Sequence, residues 1–131
     1  MKLHKQALEG INVVGFLQGG VGPIVTTTLG MYGATVVMVE SIKRPMDMRA
    51  SGSFKDGKPN LDKSFMFNSD NPDKYGMCLD LKHPQAKRVA EKLIKWADII
   101  VDNYRPGVME SWGIGYEDCL HHCGCGEYGL R

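Results

Sequence analysis

Ile11-Asn12-Val13-Val14-Gly15-Phe16-Leu17-Gln18-Gly19-Gly20-Val21-Gly22-Pro23 and, one helix length later, Gly33-Ala34-Thr35-Val36-Val37-Met38-Val39-Glu40 decide the fold of this sequence. Residues 11–16 form a short apolar run that ends in glycines, which suits a strand buried on both faces better than a helix. Gly19, Gly20 and Gly22 allow a tight loop. Pro23 then fits the first position of a helix, where its missing N–H costs nothing, and that helix is expected to run to about Tyr32. Gly33 is the expected stop, because a left-handed residue there lets the last carbonyls find partners. Residues 34–40 read as a second buried strand, and strand, helix and strand together make a parallel βαβ unit.

Outward from this unit, residues 41–71 lose all periodicity and are rich in Lys, Arg, Asp, Gly, Ser and Pro. They predict a long loop with one short helical turn, and long loops in compact domains are often functional. Residues 75–81 recover a strand pattern. His83-Pro84 opens a helix whose Ala86, Val89, Ala90, Leu93, Ile94 and Ala97 recur at helical spacing. Residues 98–102 are a further short strand, and Asn103-Tyr104-Arg105-Pro106-Gly107 is the loop that leaves its carboxyl end, the end at which open α/β sheets collect their ligands. The repeated order predicts a Rossmann-like α/β layer, a mainly parallel sheet with flanking helices and right-handed crossovers.

Composition narrows the function. At 131 residues the chain fits one domain, and a net charge of +1 leaves no basic excess for nucleic acid or an anionic membrane surface. No apolar run approaches the roughly 20 residues of a membrane span, and residues 1–6 lack the apolar stretch of a signal peptide, so a cytoplasmic location is expected. Cys78, Cys119, Cys123 and Cys125 are then expected as thiols.

Three groups of residues are candidates for chemistry. The glycine loop with Glu40 downstream is close to a dinucleotide fingerprint, but Val25 occupies the place of the third glycine; the amides at this helix start could instead meet a phosphate, or the glycines could simply make the turn. Cys119, His121, His122, Cys123 and Cys125 offer zinc donors, although all fall within seven residues, whereas structural zinc draws ligand pairs from separate turns. An incidental tail without metal is the favoured reading. Leu79, Asp80, Leu81 and Lys82, with Asn103, Tyr104 and Arg105, form the third group, expected side by side if their strands pair. Lys82 and Arg105 could meet phosphates, Asn103 could donate and accept, and Tyr104 could stack on a base. Capping and turn formation are the competing explanation.

In order and spacing, Leu8-Glu9-Gly10-Ile11, Gly22-Pro23, Gly33-Ala34-Thr35-Val36, Val39-Glu40, Leu79-Asp80-Leu81-Lys82 and Asn103-Tyr104-Arg105-Pro106-Gly107-Val108-Met109-Glu110 resemble the family III CoA-transferases, the group of the formyl-CoA, carnitine and bile-acid CoA-transferases. The likeness covers about residues 7–119. It implies transfer of CoA between carboxylic acids through an aspartate that forms a mixed anhydride and then an aspartyl-CoA thioester, which is covalent catalysis by a carboxylate. It implies an acyl-CoA and a carboxylic acid as substrates, no metal, and a homodimer in full-length relatives. Carried over by position, Leu79, Asp80, Leu81, Lys82, Asn103, Tyr104 and Arg105 fall where the family lines its CoA site.

The sequence departs from the family at several points. Ser41 stands where relatives often have an arginine that meets the nucleotide phosphates, with Lys43 or Arg44 as the available substitutes. Ser111 replaces a basic residue of some relatives, and Gly20 a glutamine near the reacting carbonyl. After Asp118 the family continues into another strand, a glycine-rich loop and the nucleophilic aspartate, whereas this sequence turns to Cys119-Leu120-His121-His122-Cys123-Gly124-Cys125. Residues 1–118 are therefore expected to be the N-terminal part of the family's large domain, and residues 119–131 a divergent Cys/His-rich tail outside it. Asp47, Asp80, Asp98, Asp102 and Asp118 are assigned to capping, pairing and solvation, so the chain alone is expected to be inactive, with apolar sheet surface left exposed. The alternative is a non-catalytic CoA- or nucleotide-binding module, or the partner of a complete paralogue.

Overall fold

The structure, a computed structural model, describes residues 5–122, the last two by backbone alone. β1 (Asn12–Phe16), α1 (Val21–Met31) and β2 (Thr35–Glu40) form the expected unit. β3 (Lys74–Cys78), α3 (Ala86–Trp96) and β4 (Ile99–Asp102) complete a four-stranded sheet of order β3-β2-β1-β4 in which every neighbouring pair is parallel. Helix α1 starts at Val21, so Pro23 is its third residue rather than its first, still within the turn whose N–H groups have no helical partner.

Strand β1 lies at the centre of the core. Val13, Val14 and Phe16 are fully buried, and side-chain alternation divides them between two layers. Val14 and Phe16 join Val39 of β2 and Ala90 and Ile94 of α3, whereas Val13 joins Val36 and packs with Leu29 of α1. Asp98 fixes the start of β4 to β1: its carboxylate accepts from Asn12 N at 2.8 Å and its own N–H donates to Asn12 O at 2.8 Å. The edge strand β4 is only half-buried at Ile99, Ile100 and Val101. Apolar surface is also open on the outer side of α1 at Val21, Ile24 and Met31, and at Tyr75 on the other edge strand.

Gly33 ends α1 as expected, at φ +103°, and a Cβ built there would lie 2.6 Å from Gln6 Cβ. Both the left-handed backbone and the contact exclude a side chain. Gly33→Ala is expected to cost about 1–3 kcal/mol, read as a lowered urea midpoint with an unchanged slope.

The long loop is more structured than its composition predicts. It holds two 3₁₀ turns, Asp47–Ala50 and Lys55–Gly57, and a short helix α2 (Phe65–Ser69). Buried Ser64 caps α2 by accepting from Phe67 N, and its hydroxyl lies 2.5 Å from Met48 O and 2.9 Å from Ser51 O. Met46, Met48 and Phe67 then pack on Leu17 and Met38, a buried cluster that composition alone does not reveal.

Two further helices, α4 (Val108–Ser111) and α5 (Tyr116–His122), follow β4. Asp118 accepts from Gly115 N at 3.0 Å, half of a capping box that starts α5. This helix runs across the boundary expected after Asp118, and Cys119 is buried against Ile114 in the main core. Cys123 and Cys125 of the zinc reading lie outside the described residues, as do the side chains of His121 and His122. No helix among the described residues is long and apolar enough to cross a membrane.

Lys74 ties three elements together. Its ammonium donates to Pro23 O at 2.7 Å, Asn71 Oδ1 at 2.9 Å and Asp70 O at 3.0 Å. Burial pulls its pKa down from 10.5 to about 8. Between those values the unfolded chain holds a proton that the folded chain has released, so stability is expected to rise with pH through this window. Lys74→Met is expected to flatten that rise in denaturation midpoints measured from pH 7 to 10.

Candidate functional site

The carboxyl edge of a parallel sheet gathers the loops after each strand, and here it brings together residues 17–22, 41–45, 79–82 and 103–107. The sequence reading placed residues 79–82 beside 103–107. The strand order corrects this: β3 and β4 are the two edges of the sheet, with β2 and β1 between them. Three strand spacings separate them, roughly 14 Å. They nevertheless meet the same core, since Leu79, Leu81 and Tyr104 all pack on the apolar cluster around Phe16 and Ile94.

Each predicted residue has a definite place. Leu79 N extends the β3 ladder by donating to Glu40 O at 2.8 Å, and the chain then leaves the sheet. Leu79 and Leu81 are half-buried packing residues, while Lys82 is exposed. Asp80 is paired with Lys43 at 2.7 Å and accepts from Lys82 N at 3.2 Å. The hydrogen bond from Lys43 and then that from the Lys82 amide hold its carboxyl below the usual range. Arg105 is exposed on the loop before α4.

Asn103 has both side-chain groups committed. Its Oδ1 accepts from Gln18 N at 2.8 Å and its Nδ2 donates to Gln18 O, a two-way latch between the loops that follow β1 and β4. Gly22 comes so close to this latch that a Cβ there would lie 2.7 Å from Leu17 Cδ2 and 3.0 Å from Asn103 Cγ. The start of α1, the β1 loop and the β4 loop are thus held as one unit. Tyr104 stands edge-on to Trp112 with ring centroids 5.1 Å apart. Burial pushes that phenol's pKa up.

Glu40, the acidic residue of the dinucleotide reading, is fully engaged elsewhere. Arg49 grips it in bidentate fashion, Nε to Oε1 at 2.7 Å and Nη2 to Oε2 at 2.9 Å, and Met46 N donates to Oε1 at 2.9 Å. The same guanidinium bonds to Asp62 and Leu61 O and lies 3.5 Å over the Phe67 ring. With both oxygens occupied, Glu40 closes the loop of residues 41–45 rather than offering itself to a ribose. Sequence reasoning missed Gln18 and Arg49, since each acts through a partner with no periodic relation to it: Gln18 pairs across 85 positions and Arg49 across nine.

Comparison with known proteins agrees with this architecture. The sequence pattern of CoA-transferase family III matches residues 8–123. The formyl-CoA:oxalate CoA-transferase of Bradyrhizobium sp. (strain ORS 278) is 37% identical over 113 residues, covering 86% of this chain and 25% of that protein. The succinyl-CoA–L-malate CoA-transferase beta subunit of Chloroflexus aurantiacus is 33% identical over 111 residues, covering 84% and 26%. Among solved structures, a CAIB/BAIF family protein from Brucella suis superposes with a TM-score of 0.80 at 25% identity, covering 92% of this chain and 32% of that one. A hypothetical protein of Mycobacterium tuberculosis gives 0.76 at 29% identity, covering 90% and 31%. The chain spans about a quarter of the length of the curated relatives it matches. A family match over nearly the whole chain, on a parallel sheet whose carboxyl-end loops are latched together, means that the chain belongs to CoA-transferase family III.

Proposed function

We propose that this chain forms the CoA-binding edge of a family III CoA-transferase, whose reaction carries CoA between an acyl-CoA and a carboxylic acid. The observation that carries this reading is the convergence of four loops at one carboxyl edge, with exposed Lys82 in the loop after β3 and exposed Arg105 in the loop after β4. Exposed cations suit the phosphates of a nucleotide thioester. Five of the described aspartates have local duties. Asp80 pairs with Lys43, Asp98 accepts from Asn12 N, Asp102 from Tyr104 N at 3.0 Å, and Asp118 from Gly115 N, while Asp47 begins a 3₁₀ turn. With these engaged and the chain spanning about a quarter of its relatives' length, we assign the nucleophilic carboxylate of the family's reaction to a segment outside residues 5–122, with residues 5–122 supplying binding rather than covalent chemistry.

Calorimetric titration of the purified chain with CoA under reducing conditions tests this. Saturable binding is expected, with Lys82→Ala and Arg105→Ala each weaker by roughly tenfold. A folded chain that gives no saturable heat would end the proposal. Those same four aspartate contacts favour the second reading, a binding module without catalysis, which predicts CoA binding but no exchange of CoA from an acyl-CoA to a carboxylate acceptor.

A further inference from the structure

Strand β3 is one edge of the sheet, and its outer side is open. Leu79 N donates to Glu40 O at 2.8 Å at the end of this strand. Successive residues of a strand direct their N–H and C=O to alternate sides, so Tyr75 and Met77 also bond toward β2, while Lys74, Gly76 and Cys78 turn theirs outward. Among the described residues, no hydrogen bond reaches the outward groups of Gly76 or Cys78. Tyr75, Gly76 and Cys78 are all exposed, so this row of donors and acceptors faces solvent.

Edge strands of soluble proteins are ordinarily guarded by a charged side chain, a proline or a bulge. β3 carries one charge, Lys74, and it is withdrawn from the edge: its ammonium is held by Pro23 O, Asp70 O and Asn71 Oδ1. The opposite edge strand β4 keeps its guard, with exposed acidic residues at Asp98 and Asp102. Tyr75 and Met77 share the face of β3 opposite Lys74, and the tyrosine is 69% exposed. A Cβ built at Gly76 would meet nothing within 4 Å, so packing inside this chain does not demand the glycine. Glycine inside a strand marks a place where a second backbone can come close.

We propose that β3 is a self-association edge, on which a second copy of this chain lays its own β3 antiparallel about a two-fold axis at Gly76. The register follows from the outward groups. Gly76 meets Gly76 of the second copy as a pair that exchanges both backbone hydrogen bonds, and Lys74 meets Cys78 in the same way on either side. Tyr75 then stands across from Met77 of the second copy, at a position where facing side chains are closest, and the two-fold makes this ring-to-thioether contact twice. No cations meet, because Lys74 points back to α1. Each four-stranded sheet continues into the other. The inference rests on the β3 backbone and stands apart from the reading of the carboxyl edge. Five residues a side make a small interface, so a dimer that dissociates at about 1–100 μM is expected.

Sedimentation velocity of the purified chain from about 1 to 500 μM, under reducing conditions, tests this. A reversible shift from monomer to dimer is expected. Tyr75→Lys, which places a charge on the open edge, and Gly76→Pro, which removes the outward N–H but no bond to β2, are each expected to weaken it about tenfold or more. Circular dichroism identifies a variant that fails to fold, and Tyr75→Lys alters only an exposed side chain. Gly76→Cys is expected to cross-link to its own copy on mild oxidation, with Cα atoms about 5.5 Å apart, and Tyr75→Cys far less, since that position faces Met77. A chain that stays monomeric throughout the concentration range overturns the proposal. So does a dimer that Tyr75→Lys leaves intact, or a Gly76→Cys chain that links no faster than the unsubstituted one.

Discussion

Arg49→Ala is expected to be the most destabilising single change in the loop region, costing about 3 kcal/mol and lowering the melting temperature by roughly 10–15 °C. The guanidinium is 18% exposed and its partner carboxylate 13%, so both charges are largely out of water. Removing the cation leaves Glu40 with one backbone donor, Met46 N, where it had three hydrogen bonds. The contact of the guanidinium with the Phe67 ring is lost as well. Arg49→Lys keeps the charge but not the planar fork, and is expected to recover less than half of the loss. In a double-mutant cycle with Glu40→Gln, the coupling energy is expected to exceed 1 kcal/mol in magnitude; additive effects would show that the pair does not hold the loop. The consequence for function is specific: Arg49→Ala should weaken CoA binding at the carboxyl edge even at temperatures where the chain stays folded, because the loop that follows β2 there loses its base.

Much of the fold is legible in the sequence because its two central strands, β1 and β2, are largely buried. A parallel strand covered by helices has no polar alternation, and residues 12–16 and 35–40 show the dense β-branched runs that result. Glycine at position 33 is legible for a local reason, since the backbone conformation there excludes a side chain. Helix α3 is legible through its spacing, because it presents one apolar stripe to the sheet and a charged face to water. The loop of residues 41–71 was not legible. Its order comes from contacts set by the fold as a whole: Met46 and Met48 become core residues only because Leu17 and Met38 stand beneath them. The site was half-legible for the same reason. The loops at the carboxyl edge follow from strand type, but the strand order that sets β3 and β4 apart is a long-range fact with no local signature. The continuation of α5 past Asp118 has little local signature, because Cys and His beside one another dominate the composition from Cys119 on, while the cue for the helix, Asp118 capping Gly115 N, is a single residue.

Asn103→Ala is expected to cost about 2–3 kcal/mol, close to the loss at Arg49, although it removes only a small neutral side chain. The latch satisfies both backbone groups of Gln18, and these are partly buried between the β1 and β4 loops. Each orphaned group costs roughly 1–3 kcal/mol when water cannot fully replace its partner. The amide hydrogen of Gln18 should lose most of its exchange protection, while those of Val14 and Gly15 within the sheet keep theirs. Asn103→Asp separates the two halves of the latch. The oxygen toward Gln18 N is retained, but the second oxygen now faces the Gln18 carbonyl, and two acceptors repel. That repulsion raises the new carboxyl's pKa in the folded state, because only the protonated acid can donate to the carbonyl. A raised folded pKa means stability is recovered as pH falls, so the Asp variant should approach the wild type below about pH 5 and trail it at neutral pH. A purely ligand-contacting Asn103 would show neither the exchange loss nor the pH recovery in the free protein. Observing both would make Asn103 the residue that holds the site together, and would leave direct contact with CoA to exposed groups such as Lys82 and Arg105.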